Sequence, residues 1–367
     1  MEKISRIIHF KIPMSICNLR CHYCYLSQRD VCFQGNQPVM EYSPEFFGKA
    51  FSRDRLGGTA YFNFCADGET LLVKDLDRYV KEVVSQGHYV EIISNLTVTE
   101  NLKKFLSWDK KLLEHVEFKG SFHYLELKEK NLLQTFTNNV KSIWEAGASA
   151  SLEITPSDEL IPYLDEVKEF SMKEFGALPH ITIARDDRTK EIDYLTSLTM
   201  QEYDKVWESF ESDLWRFKKS IFKVRRKEFC YAGLWSLYIN FYTGAAKPCY
   251  CGEYMDNFYM NIDKPYEYKP IGTCGMPHCF NGHMLLGYGL IPELKTPVYG
   301  DMRDRERADG THWINDKQYC FMNSKLYDSN PLLSHSQMYY YRVRTAMLSG
   351  VSKSKQSVRK ILKRRKR

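Results

Sequence analysis

Six short runs rich in β-branched and aromatic residues recur along the first half of the chain: IIHFKIPM (7 to 14), TAYFNFCA (59 to 66), YVEIISNL (89 to 96), VEFKGSFHY (116 to 124), ASLEIT (150 to 155) and HITIARD (180 to 186). Each has the length and composition of a strand. Stretches with helical spacing lie between them. SPEFFGKAFS (43 to 52) opens on a serine cap with Glu45 close behind, and LDRYVKEVVSQG (76 to 87) and LLQTFTNNVKSIWEAG (132 to 147) both end on glycine. Strand and helix therefore alternate. That predicts an α/β fold of parallel strands with helical crossovers, arranged as an open sheet or a barrel-like arc. From Met200 to about Lys227 the pattern is helical, charged and aromatic, which predicts a linking helix. Residues 228 to 330 change character: Cys, Gly, Tyr, Asn and Pro rise and periodicity fades, as expected of a small loop-rich domain that needs a staple. No internal repeat is evident.

Composition sets bounds on this picture. A chain of 367 residues with 43% hydrophobic content can bury a sizeable core. Its longest apolar runs are far shorter than the roughly 20 residues of a membrane span, and residues 1 to 12 lack the apolar centre of a signal peptide, so a cytoplasmic protein without a transmembrane segment is expected. Eleven cysteines is an odd number, and in a reducing compartment such thiols bind metal or do chemistry rather than pair. The formal charge of +6 is local. Nine of the 52 Lys and Arg lie in the last 15 residues, and without them 43 bases face 46 acids. The body is thus slightly acidic, which argues against a general nucleic-acid-binding surface.

The first cysteine group is CNLRCHYCY, residues 17 to 25. Three thiolates at CxxxCxxC spacing on one loop can grip three corners of a metal cluster and leave the fourth open. Zinc with His22 or Cys32 as fourth ligand is one reading. Iron-sulfur chemistry accounts better for the missing ligand, because an open iron can bind a substrate or cofactor. The loop resembles the CxxxCxxΦC signature of radical S-adenosylmethionine (SAM) enzymes and follows the first strand, where that family carries it. The resemblance implies a [4Fe-4S] cluster on Cys17, Cys21 and Cys24, with Tyr23 packing on adenine. It also implies SAM chelating the open iron, and one electron cleaving the sulfonium to a 5'-deoxyadenosyl radical that abstracts hydrogen from substrate. After the second strand, Asp67, Gly68 and Glu69 fall on the family's GGE element, which meets the methionyl ammonium; Asp replaces the first Gly, and an ordinary strand-to-helix turn is the plainer reading. Ser94 and Asn95 fall at a polar ribose contact, and Glu153 and Thr155 are further candidates. The family fold is a partial (β/α)6 barrel with ligands at the C-terminal strand ends.

The second group resembles the opening of the auxiliary-cluster domains called SPASM and twitch. Cys230 and Cys249 stand in the pattern C-x13-G-x4-C, where the glycine permits a hairpin turn. The full SPASM run CxxCx5CxxxC is missing, so the resemblance implies a twitch-like domain with a second [4Fe-4S] cluster on Cys230, Cys249, Cys274 and Cys279, and Cys251 and Cys320 as alternative ligands. A zinc-stapled domain using His278 and His283 stays open. Among other candidates, Cys65 is either a hydrogen-atom donor or a small buried thiol, and His123 either faces a cavity or fills a strand position.

These readings divide the chain into a partial barrel (1 to 195), a linking helical segment (196 to 227), an auxiliary-cluster domain (228 to 330) and a C-terminal helical and basic tail (331 to 367). The expected protein is a radical SAM enzyme served by a donor such as flavodoxin or ferredoxin. Its substrate is a peptide or natural-product precursor, or alternatively a carbohydrate, lipid-linked if the tail lies on an anionic membrane. The tail is otherwise a solvated segment. The first strand begins within a few residues of the start, so peptide recognition is expected to come from elsewhere. The rival class is a non-enzymatic binding protein whose two cysteine groups are metal staples.

Overall fold

Alternate residues of a strand share a face, and here the two faces carry different chemistry. The computed structural model describes residues 2–28, 35, 37–188, 191–250, 252–279 and 281–347; Cys32, Cys251 and the basic tail lie outside them. Strands β1 (Arg6–Ile12), β2 (Ala60–Ala66), β3 (Tyr89–Ser94), β4 (Val116–Ser121), β5 (Ser149–Ile154) and β6 (His180–Ile181) run parallel, each paired with the next. One set of alternate positions, including Phe10, Phe62, Phe64, Val90, Ile92, Phe118 and Leu152, joins the core packed by the crossover helices. The other set is polar. His9, Asn63, Glu91 and Glu117 stand opposite one another across three successive ladders, and Lys119, Ser151 and Glu153 continue that face on β4 and β5. This face is buried too, so its charges need partners inside the protein.

Part of that need is met from far along the chain. Arg303, fully buried on helix Tyr299–Arg303, reaches Glu117, Glu153 and Ser151. The Tyr299 hydroxyl donates to Glu91 and that of Tyr61 to Glu117, both at 2.9 Å. Around them Tyr61, Tyr89, Tyr288, Tyr299 and Phe321 close the N-terminal ends of the strands with stacked and tilted rings. One end of the arc is thereby plugged and the other left for a site.

The sheet does not stop at β1. β9 (Ser236–Asn240) pairs parallel with β1, and β10 (Ala245–Lys247) and β11 (Asp256–Asn257) add antiparallel, giving among the described residues the order β11-β10-β9-β1-β2-β3-β4-β5-β6. The β9–β10 turn needs Gly244 (φ 73°), where a Cβ would meet Asn257 at 2.5 Å. Two elements differ from the sequence pattern. HITIARD is not one strand: after Ile181 the chain leaves the sheet, and β7 (Arg185–Asp186) pairs antiparallel with β8 (Asp193–Tyr194). The linking helix is two, Met200–Trp207 and Asp213–Ile221, because Glu211 takes a left-handed φ of 49° and Ser212 caps the second by accepting from Trp215 N.

Candidate functional site

A cavity of about 250 Å³ opens at the C-terminal ends of the strands and brings together the N-terminal candidates. Cys17, Cys21, Cys24 and Tyr23 line it from the loop after β1; Asp67, Gly68 and Glu69 from the turn after β2; Ser94 and Asn95 from the end of β3; Glu153 and Thr155 from β5. Cys65 and His123 line it as well.

The cysteine loop is docked backbone to backbone on the turn after β2. Asp67 N donates to Ile12 O at 2.9 Å and Glu69 N to Ile16 O at 2.8 Å. Between them Gly68 lies so close that a Cβ would stand 2.1 Å from Ile16 O, so no larger residue fits. Side chains complete the anchoring: Asn95 Nδ2 donates to Asn18 Oδ1 (2.8 Å), Asn18 Nδ2 to Thr97 Oγ1 (2.7 Å) and Arg20 N to Glu126 (2.6 Å).

Glu69 is 3% exposed, and burial raises its pKa against three donors that favour the anion: Ser94 Oγ (2.6 Å), Asn95 N (2.8 Å) and Leu71 N (2.9 Å). Ser94 and Asn95 thus orient this carboxylate, a role the sequence pattern did not suggest. Tyr23 is held by a 2.7 Å hydrogen bond between its hydroxyl and His123 Nδ1, and burial lowers His123 to about 4, leaving the ring neutral. Burial likewise pushes the Cys17 thiol up to about 11 and raises Cys21, so these thiols become ligands only when a metal stabilises the thiolate. All three are free of disulfides. Among the described residues no three His, Cys, Asp or Glu side chains converge at the spacing of a single metal ion. The donor set fits a cluster: three thiols on one loop beside a buried carboxylate and an open cavity.

Cys230, Cys249, Cys274 and Cys279 are close enough to act on one another: burial raises the Cys230 thiol, and the other three raise it further. Cys230 exchanges backbone hydrogen bonds with Gly272 (2.9 and 3.0 Å), and Cys249 follows β10. Cys320 is exposed on helix Asp316–Met322, next to Phe321, which stacks on Tyr89. His278 Nε2 donates to the backbone oxygen of Glu191 at 2.9 Å, and His283 lines the first cavity.

Sequence reasoning missed Lys119, Thr182, Lys218 and Asn281 on the cavity wall, and it read His283, which also lies there, only as a zinc-ligand candidate. Lys119 had a signal, a lysine amid the apolar residues of VEFKG. Its Nζ stands 2.8 Å from Glu153, which with Arg303 behind it is held well below the usual carboxylate range despite burial.

The parallel arc with its open C-terminal end is a fold that this chain shares with solved radical SAM enzymes. Among solved structures, anSMEcpe with bound AdoMet matches over 94% of this chain and 95% of that one, at a TM-score of 0.52 and 12% identity. The same protein with AdoMet and Cp18Cys peptide matches over 95% and 99%, at 0.50 and 13%. SuiB of Streptococcus suis matches over 72% of this chain, at 0.46 and 12%; the chain spans 66% of the length of SuiB, just under two thirds. No family model and no curated protein matches the sequence.

Proposed function

We propose that the chain is a radical SAM enzyme that matures a peptide or related natural product. One observation carries the reading: three cysteines, Gly68 and Glu69, far apart in sequence, face one cavity at the C-terminal ends of parallel strands. Cys17, Cys21 and Cys24 would hold a [4Fe-4S] cluster, which when reduced would supply the electron for reductive cleavage of SAM. The protein's part is positioning. Glu69, oriented by Ser94 and Asn95, receives the methionyl ammonium; Gly68 lets the backbone approach; Tyr23, braced by His123, offers its ring to adenine. Cys230, Cys249, Cys274 and Cys279 are assigned to a second [4Fe-4S] cluster, and a flavodoxin or ferredoxin to electron supply. The peptide is favoured by the fold shared with anSMEcpe, which has been solved with a bound peptide. A carbohydrate is the alternative. No helix among the described residues is long and apolar enough to cross a membrane.

The test is anaerobic. Reconstituted protein with dithionite and SAM should form 5'-deoxyadenosine and hold about eight iron atoms, and the Cys17/Cys21/Cys24→Ala variant should form none and hold about four. Zinc in place of iron, with no deoxyadenosine from the unaltered chain, would sink the proposal in favour of a metal-stapled binding protein.

A further inference from the structure

Among the described residues, the charges on the β5–β6 side of the cavity do not balance. Glu153, the acid on that wall, is already engaged by Lys119 at 2.8 Å and by Arg303. Lys218, on helix Asp213–Ile221 and 6% exposed, donates to the hydroxyl of Thr182 just past β6. Among the described residues no carboxylate lies within ion-pair distance of it. His283, also 6% exposed, opens helix His283–Gly287, and its Nδ1 is buried with no hydrogen-bond partner. Both side chains, with Thr182, line the cavity. A buried amine with no carboxylate in ion-pair range among the described residues and a buried ring nitrogen without a hydrogen-bond partner each cost free energy, which a ligand of the right chemistry would recover.

We propose that Lys218, His283 and Thr182 form a subsite for an oxyanion of the substrate, a carboxylate or a phosphate group. It deepens the proposed function by placing an anionic group of the substrate on the wall formed by β5, β6 and these two helices, away from the Glu69 carboxylate that would receive SAM. Opposite charge at the two ends also gives an orientation. Glu69 and Asp67 disfavour an anion at the cofactor end, so the acidic group of the substrate is directed to Lys218, and the rest of the substrate extends toward the cysteine loop. The desolvation that lowers Lys218 to about 7 is the cost an anion removes, so binding at pH 7.5 draws a proton onto Lys218. The charged and titratable groups that bear on Lys218 are Glu153, Lys119, Arg185, Arg303 and His283, and only Glu153 favours the ammonium.

The test reads the histidine ring directly and needs no turnover. Reconstituted protein labelled with ¹⁵N-histidine is titrated with sodium phosphate and, separately, sodium acetate, at ionic strength held constant with chloride. The His283 ring resonances, assigned by their loss in His283→Gln, should shift saturably with at least one of the two ions. Lys218→Met should weaken that response about tenfold or more, Lys218→Arg should largely retain it, and Lys173→Met, at an exposed site, should leave it unchanged. A stronger response to phosphate assigns a phosphate-bearing substrate, and a stronger response to acetate a carboxylate. No saturable shift with either ion, or a response indifferent to Lys218→Met in a variant that stays folded by thermal unfolding, overturns the subsite. Deoxyadenosine formation is read separately: a chain that cleaves no SAM yet binds the anion keeps the subsite and loses the radical reading.

Discussion

At Gly68 a single methyl group decides whether two loops can meet. Its Cβ would lie 2.1 Å from Ile16 O and 2.9 Å from Ile16 N, backbone atoms that cannot swing aside. Gly68→Ala should therefore cost about 1 to 3 kcal/mol, read as a lower denaturant midpoint, and lower iron loading because the displaced partner is the cysteine loop. Glu69→Gln tests charge at nearly constant shape. The amide loses the anion that Ser94 and Asn95 orient, so SAM affinity should fall about 10- to 100-fold with iron content unchanged; an unaltered SAM dissociation constant would remove Glu69 from the site. Lys218 makes a prediction about pH. Its folded value, about 7, lies below the ordinary 10.5, so between those values the unfolded chain holds a proton that the folded chain has released. Stability from this group rises with pH across that window, and below pH 7 the whole cost of the buried ammonium is present. Lys218→Met should be more stable than the parent at pH 6, and the difference should shrink from pH 7 to 9 by at most about 1.4 kcal/mol per unit. Gly68 and Glu69 were legible in the sequence through the resemblance of the turn after the second strand to the GGE element, and both line the cavity. Lys218 was not, because it looks like an ordinary residue of a helix, and His283 was singled out only as a zinc-ligand candidate, because only the fold gives the two a common neighbour.

At the scale of elements, helix Tyr299–Arg303 neutralises a face that the strands cannot neutralise themselves. Glu91, Glu117 and Glu153 lie on three neighbouring strands, and burial raises Glu91 even with Lys119 nearby. Arg303 spans two of these acids and the Ser151 hydroxyl with one planar group. Arg303→Met leaves the acids buried without that partner and should cost about 3 to 5 kcal/mol in denaturant unfolding. Arg303→Lys keeps the charge but loses the fork, so its loss should be smaller and still measurable; a neutral Arg303→Met would mean that Lys119 alone balances the face. The strands themselves were readable from their apolar runs, and β1 to β5 appear within a few residues of the predicted limits. The plug was not readable. YGDMR looks like a surface turn, and its buried role comes from acids more than 140 residues earlier in the chain. The break at Glu211 was hidden for a different reason: a left-handed residue leaves no mark in the hydrophobic period, although the serine cap that follows it does.

Across the whole molecule, the two cysteine groups are joined by one sheet and one short segment. β9 lies against β1, the strand that launches the first cysteine loop, and the chain from Cys279 to His283 carries the second group's last thiol and two residues of the cavity wall, Asn281 and His283. Metal at the second group would therefore fix one side of the cavity while leaving the turn after β2 untouched. The Cys230/Cys249/Cys274/Cys279→Ala variant, reconstituted in the same way, should hold about four irons instead of about eight and retain SAM binding within about threefold, because Glu69 and its donors belong to β2 and β3. The anion response of His283 should weaken severalfold, since the segment that sets its ring would have lost its anchor at Cys279. Two results would break this chain of argument at different links. Unchanged iron would show that these four thiols hold no iron cluster. A fall in iron with the His283 response intact would show that helix His283–Gly287, packed in its own apolar cluster with Tyr288 and Tyr299, positions the ring without the metal.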